Sequence, residues 1–312
     1  MNEVYDLFRQ LLPAAFHELL ENQSVSEIMT NSAAGEVFAL AEGRKVKTDI
    51  VLDAPTRLQL AWLAAKIAGT VANEQQPLLS VELDDLYYPG RRYRFSACLP
   101  PVVEQPVFTL RKQVFVSRTL KQYLDDRVMT QKYYGYLKSA VRGRKNIVIA
   151  GGTGSGKTTL ANALLAEIPA GDRLVVIEDT RELAVSSENV VYLKSCSSAT
   201  TRDLVRQALR LTPDRIIVGE VRDGAALDLL QAWNTGHPGG IATVHANSAP
   251  AALTRLEQLV AMASAGQQRQ LIADAVDVVV FIAQAAGRRR INEVIEVEKR
   301  LTSSHEFVYI QI

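Results

Sequence analysis

The chain has 312 residues, a formal net charge of +1, 47% apolar and 22% charged residues. This composition is that of a globular protein, long enough for two domains of ~100–200 residues each. The near-neutral charge excludes a global electrostatic case for binding nucleic acid or an anionic membrane.

Two cysteines, Cys98 and Cys196, are too few for a disulfide framework or a four-thiolate zinc site, which fits a reduced compartment. The first residues lack the basic-then-apolar pattern of a signal peptide. The longest mostly apolar stretch, 278–286, falls well short of the ~20 residues a helix needs to cross a bilayer.

Apolar residues recur at helical spacing over 5–20, with Pro13 as a break. Alternating runs at 36–40 and 48–52 predict strands joined by a turn at 41–44, and 56–71 has the periodicity of a helix. A second strand group spans 78–116, punctuated by Pro89-Gly90 and Pro100-Pro101. This mixed α+β half carries no nucleotide-binding signature. Residues 117–144 read as polar and helical with Gly135 and Gly143, and the domain junction is placed there: a first domain over 1–130, a linker over 131–144 and a second domain over 145–312.

The second domain opens on the apolar run 146–150, followed by Gly151, Gly152, Thr153, Gly154, Ser155, Gly156, Lys157, Thr158 and Thr159. This is a complete Walker A phosphate-binding loop between a strand and a helix. Its glycines let backbone N–H groups surround an anion. Lys157 brings a charge to the β- and γ-phosphates, the Thr158 hydroxyl can ligate Mg²⁺, and the following helix aims its positive end at the phosphates. The pattern predicts ATP as the ligand.

Strands at 174–178 and 215–220 and helices at 203–211 and 225–234 then alternate, which predicts a mainly parallel sheet with helices on both faces. The strand at 174–178 ends in Glu178, Asp179 and Glu182, acids that are costly at an apolar strand end unless cations, metal or water meet them. The strand at 215–220 resembles a Walker B element, except that Gly219 stands where an aspartate normally holds the metal. Glu178, Glu220 and Thr158 are therefore the candidate Mg²⁺ ligands. Glu178 and Glu220 are the candidate bases, and spacing alone does not choose between them. His237 and His245, two of four histidines, share one glycine-rich segment, and His245 closes a strand where it could sense a γ-phosphate. The arginine runs 142–145 and 288–290 read as solvated turns. From residue 276 onward the pattern is antiparallel strands after a helix.

These motifs in this order resemble the secretion ATPase superfamily, the hexameric traffic ATPases of type II and type IV secretion, pilus extension and retraction, and conjugation. Residues 202–247 look most like the conjugative-transfer branch, the TrbB-type ATPases. The resemblance implies an α/β fold: an α+β first domain and a RecA-like P-loop ATPase domain with a mainly parallel sheet. It implies Mg²⁺-dependent ATP hydrolysis by Lys157, Glu178, Glu220 and His245. It also implies a homo-oligomer, a hexamer, that works with channel components at the inner membrane from the cytoplasmic side, powering conjugative DNA transfer or pilus biogenesis. Arg94 and Arg111 match the arginines that the family's first domain lends to the nucleotide; read from the residues alone, they could equally be surface ion-pair partners. Arg202, Arg206 and Arg210, spaced along one helix face, are rivals for that role. A pilus or type II assembly or retraction ATPase is the alternative within the superfamily. A helicase-like nucleic-acid motor is the alternative outside it, disfavoured by the charge and by the lack of an aromatic–basic stripe. Base-specific recognition of nucleic acid is not expected. A nucleotide-gated scaffold without hydrolysis is disfavoured because it would need only the loop.

Overall fold

The computed structural model describes residues 2–31, 34–84, 86, 91–113, 118–196, 198–266, 268–285 and 288–312. The turn expected at Pro89-Gly90, Ser117 at the start of the expected junction and Ala286 at the end of the apolar stretch lie outside the described residues. The chain divides into two compact units, 1–115 and 116–312.

In the first unit, helices α1 (Asn2–Gln10) and α2 (Ala14–Glu21) are separated at Pro13, which stands as the N-cap of α2. Strands β1 (Val25–Thr30), β2 (Glu36–Ala41) and β3 (Arg44–Val51) follow. Helix α3 (Ala54–Ile67) comes next, its start fixed by Asp53 Oδ1, which accepts the Thr56 N–H at 2.8 Å. Strands β4 (Leu78–Asp84), β5 (Arg92–Cys98) and β6 (Val107–Gln113) complete an antiparallel sheet of order β3-β2-β1-β6-β5-β4, with β3 and β4 as edges. Alternation decides which face is buried. Tyr93, Phe95 and Ala97 of β5 point into the core, whereas Arg92, Arg94 and Ser96 lie on the other face. Phe95 stacks on Phe108 with centroids 5.0 Å apart and meets the edge of Phe8 at 5.9 Å.

The second unit begins with α4 (Leu120–Asp125) and α5 (Gln131–Arg142). Here the structure departs from the expected linker over 131–144. Leu137, Ala140 and Val141 of α5 are buried in a cluster with Ile147, Ile149 and Leu160, so the segment packs as part of this unit. The sequence looked like a linker because the exposed face of α5 is polar; its apolar stripe is narrow.

Strand β7 (Ile147–Ala150) leads into α6 (Lys157–Leu165), then β8 (Leu174–Glu178), β9 (Val190–Lys194), α7 (Thr201–Ala208), β10 (Arg215–Val218), α8 (Ala225–Asn234) and β11 (Ile241–Val244). Helices α9 (Ala249–Ala261) and α10 (Arg269–Ala275) precede β12 (Val278–Ala285), β13 (Arg288–Leu301) and β14 (Phe307–Gln311). The sheet has the order β14-β13-β12-β7-β11-β10-β8-β9. It is parallel from β12 to β9 and antiparallel where β13 and β14 extend it. Strand β7 is buried on both faces: Ile147 and Ile149 in one layer, Val148 and Ala150 in the other. That two-sided burial is why its sequence is continuously apolar rather than alternating. The fold is thus α/β, an α+β unit followed by a RecA-like unit, as expected.

Polar clasps hold the amino-terminal edge of this sheet. Buried Arg215 donates to Asp172 Oδ2 at 2.7 Å and to the Val141 carbonyl at 2.8 Å, tying β10 to α5. Asn146 accepts the Gly239 and Gly240 N–H groups at 2.7 and 3.0 Å and donates to the Ala275 carbonyl at 2.7 Å. The arginine run 288–290 lies on β13 rather than in a solvated turn.

The aromatic centre of the first unit carries much of its burial. Phe95→Ala is expected to cost about 3–5 kcal/mol, read as a shift in the urea midpoint of that unit. A cost below about 1 kcal/mol would show that the unit does not depend on this ring cluster.

Candidate active site

Parallel register sets the geometry. Val218 pairs with Ile177 and Ala242, and Val244 pairs with Ala150, so β7 and β11 end level and β10 and β8 end within two residues of them. Open α/β sheets build sites at these carboxyl ends.

Gly154 and Gly156 take φ values of 73° and 96°, which let the phosphate loop turn into α6. Lys157 is 8% exposed, and its Nζ donates to the Gly151 and Gly152 carbonyls at 3.0 and 2.9 Å. Burial, aided by the like charge of Arg222, lowers the Lys157 pKa, while Glu220 and Glu182 oppose that shift. Ser155 Oγ is buried within the loop with no hydrogen-bond partner. Thr158 and Thr159 in the first turn of α6 are half-buried.

From Lys157 a row of contacts crosses the strand ends. Lys157 Nζ lies 3.5 Å from both ring nitrogens of His245. His245 Nε2 lies 3.1 Å from Glu220 Oε1. Arg222 donates from Nη2 to Glu220 Oε2 at 2.7 Å and from Nη1 to Asp179 Oδ2 at 2.8 Å. The loop after β10 is held against β11 as Thr243 Oγ1 donates to the Gly219 carbonyl at 2.7 Å and Val221 N–H to the Thr243 carbonyl at 2.9 Å.

The two candidate bases sit in opposite electrostatic settings. Burial raises the Glu178 pKa to about 7, despite the Glu182 and Leu183 N–H groups that its Oε1 accepts at 2.9 Å each. Burial also acts to raise Glu220, but the Arg222 hydrogen bond and charge, with His245 and Lys157, outweigh it and hold Glu220 below the usual range. His245 is shifted down by burial and by Lys157, so at neutral pH it is uncharged. Glu220 is therefore the ionised carboxylate near the loop. Gly219 has a steric reason: a Cβ there would stand 2.9 Å from Glu178 Cγ, so the buried glutamate fills the space where a Walker B aspartate would begin.

Among the described residues no three His, Cys, Asp or Glu side chains gather as a self-sufficient metal cluster. A hydroxyl and one or two carboxylates fit Mg²⁺, which binds few protein ligands and completes its shell with water and phosphate oxygens.

Arg94 and Arg111 stand directly opposite each other on β5 and β6, flanked in register by Glu82 on β4 and Glu27 on β1. Of the rival arginines, Arg202 and Arg206 both donate to Asp228 at 2.6 Å, which joins α7 to α8. Sequence reasoning gave no role to Arg222. It also passed over Asn162, which joins α6 to the loop after β8 through the Glu182 carbonyl and the Ala184 N–H at 3.1 and 2.9 Å. Arg289 was missed as well: its Cδ would lie 3.2 Å from a Cβ at Gly156. Arg222 had a signal in the run Gly219-Glu220-Val221-Arg222 and Arg289 in the run 288–290, and Asn162 had none.

Because the folded-state pKa of Glu178 is raised from 4.5 to about 7, the folded chain holds this proton more tightly than the unfolded chain. Its contribution to stability is present below pH 4.5 and is lost as pH rises through about 7. Glu178→Gln should flatten that part of the decline, read as the melting temperature across this pH window. Parallel wild-type and variant curves would refute the raised pKa.

Residues 86–300 match the protein family described as Type II/IV secretion system protein. The chain is 43% identical over 282 residues to the conjugal transfer protein TrbB of Rhizobium radiobacter, covering 89% of this chain and 85% of that one. It is 30% identical over 322 residues to the type IV secretion system protein VirB11 of Bartonella quintana, covering 88% and 89%. Among solved structures it resembles the VirB11 ATPase of Brucella suis in complex with sulphate, at 29% identity and a TM-score of 0.51, covering 94% of this chain and 97% of that one. It shares its fold with the ATPase DotB of Legionella pneumophila at 22% identity and a TM-score of 0.63, covering 96% and 80%. With most of its length matched, this chain belongs to the type II/IV secretion ATPase family.

Proposed function

We propose that the chain is a Mg²⁺-dependent, ring-forming ATPase, a hexamer, that powers conjugative DNA transfer, and the associated pilus biogenesis, through a type IV secretion channel. It works from the cytoplasmic side with channel components at the inner membrane. The observation that carries the hydrolytic reading is the unbroken row Lys157–His245–Glu220–Arg222–Asp179 beside the phosphate loop. A protein that only bound nucleotide would need no ionised carboxylate held in that row. The similarity to a TrbB conjugal transfer protein and to VirB11 supports the assignment to transfer.

In this reading the backbone N–H groups of residues 151–159 bind the phosphates, and Lys157 exchanges its two carbonyl partners for phosphate oxygens. Bound Mg²⁺, held by Thr158 with Glu220 or Glu178, would neutralise charge on the β- and γ-oxygens. Glu220, being ionised, orients and deprotonates the attacking water. Glu178, whose pKa burial pushes up to about 7, holds the loop after β8 through the Glu182 and Leu183 N–H groups. His245, uncharged, donates Nε2–H to Glu220 and stands where it can sense the γ-phosphate. Arg94 and Arg111 are the phosphate-contacting arginines of the first unit, engaged as the ring assembles.

Two measurements test this. Lys157→Ala should abolish ATP hydrolysis without changing the circular dichroism spectrum, and Glu220→Gln should lower turnover ~10²-fold or more while ATP still binds. Wild-type turnover in either variant would remove that residue from the chemistry. For assembly, turnover per subunit should rise with protein concentration, and Arg111→Ala should lower it. A flat concentration dependence together with an undiminished Arg111→Ala rate would defeat the ring mechanism.

A further inference from the structure

Arg222 divides its guanidinium between two strands. Nη1 holds Asp179 Oδ2, just past the end of β8, and Nη2 holds Glu220 Oε2, just past the end of β10. The other oxygen of Glu220, Oε1, faces His245 Nε2 at 3.1 Å. The carboxylate is thus gripped from opposite sides, by His245 just past β11 and by Arg222, which ties it to Asp179 just past β8. Arg222 is 55% exposed and Asp179 42% exposed. Exposed ion pairs contribute little to folding, so stability does not account for the Arg222–Asp179 half of this bridge at the mouth of a nucleotide site. The planar fork matters, because it satisfies two carboxylates at once, whereas a lysine ammonium is a single point charge.

We infer that Arg222 is a positioning residue of the hydrolytic site: anchored on Asp179, it fixes the orientation of the Glu220 carboxylate toward the water that attacks ATP. Asp179 is the fixed point and Arg222 the strap. Glu220 keeps its geometry because its two oxygens meet different groups, Arg222 in its own loop and His245 just past β11. The inference rests on the ATPase reading above and adds the pair Arg222 and Asp179, neither of which needs to touch the nucleotide.

The test uses the full chain and steady-state ATP hydrolysis, with binding of a fluorescent ATP analogue and thermal midpoints measured in parallel. Arg222→Ala should lower kcat ~10- to 100-fold, the scale of a misplaced reacting group. KM and analogue affinity should stay within about twofold, because ground-state binding is untouched. Arg222→Lys should recover only part of the loss. Asp179→Ala, which leaves Arg222 and Glu220 in place, should lower kcat in the same direction, and the double variant should be no slower than Arg222→Ala alone. If Arg222→Ala does not fold, Asp179→Ala and Arg222→Lys carry the same test. Wild-type kcat in Arg222→Ala or Asp179→Ala, a loss confined to KM, full rescue by lysine, or losses that multiply in the double variant would each overturn the inference. Failure of the ATPase reading looks different: no hydrolysis by the wild-type chain, or full turnover in Glu220→Gln.

Discussion

The in-register parallel pairing of β7, β11, β10 and β8 is the constraint on which the rest of the second unit depends. Backbone hydrogen bonds fix Val218 beside Ile177 and Ala242, and Val244 beside Ala150, and the side chains have no freedom to undo that alignment. A one-residue slip in any of these strands, each buried along its whole length, would shift its carboxyl end out of line and separate Lys157, His245, Glu220 and Asp179. The clasps made by Arg215 and Asn146 hold the opposite edge of the same sheet. One edge is closed by buried polar bonds, which leaves the other edge to carry chemistry.

The electrostatics follow from that placement. Two glutamates leave adjacent strands, yet their protonation differs because one is buried against backbone N–H groups and the other meets two cations and a histidine. Gly219 makes the arrangement possible by ceding its side-chain volume to Glu178. The missing Walker B aspartate is then a packing consequence of moving a carboxyl to the neighbouring strand.

Much of this was legible in the sequence. The glycine loop, its flanking strand and helix, and the acids and histidine at strand ends all depend on residues close in the chain, and local patterns report them. Pro13 and the alternation in β2 and β3 were equally readable. Arg222, Asn162 and Arg289 were not, because Asp179, the Glu182 carbonyl and Gly156, which they meet, lie 43, 20 and 133 residues away and only the fold brings them together. Strand β9, Val-Val-Tyr-Leu-Lys at the edge of the sheet, was missed although its first four residues form an apolar run. The linker over 131–144 failed for a related reason: helix α5 buries a few residues and shows solvent the rest.

The outermost strand of the first unit has a bearing on how copies of this chain avoid one another. Strand β3 presents a row of main-chain donors and acceptors with no neighbour in its sheet, the kind of border along which identical strands can add without limit. Arg44, Lys45 and Lys47 are exposed along it, and among the described residues Lys47 is matched by Glu36. Two such borders brought together would set cation against cation. Strand addition between copies through β3 is therefore disfavoured.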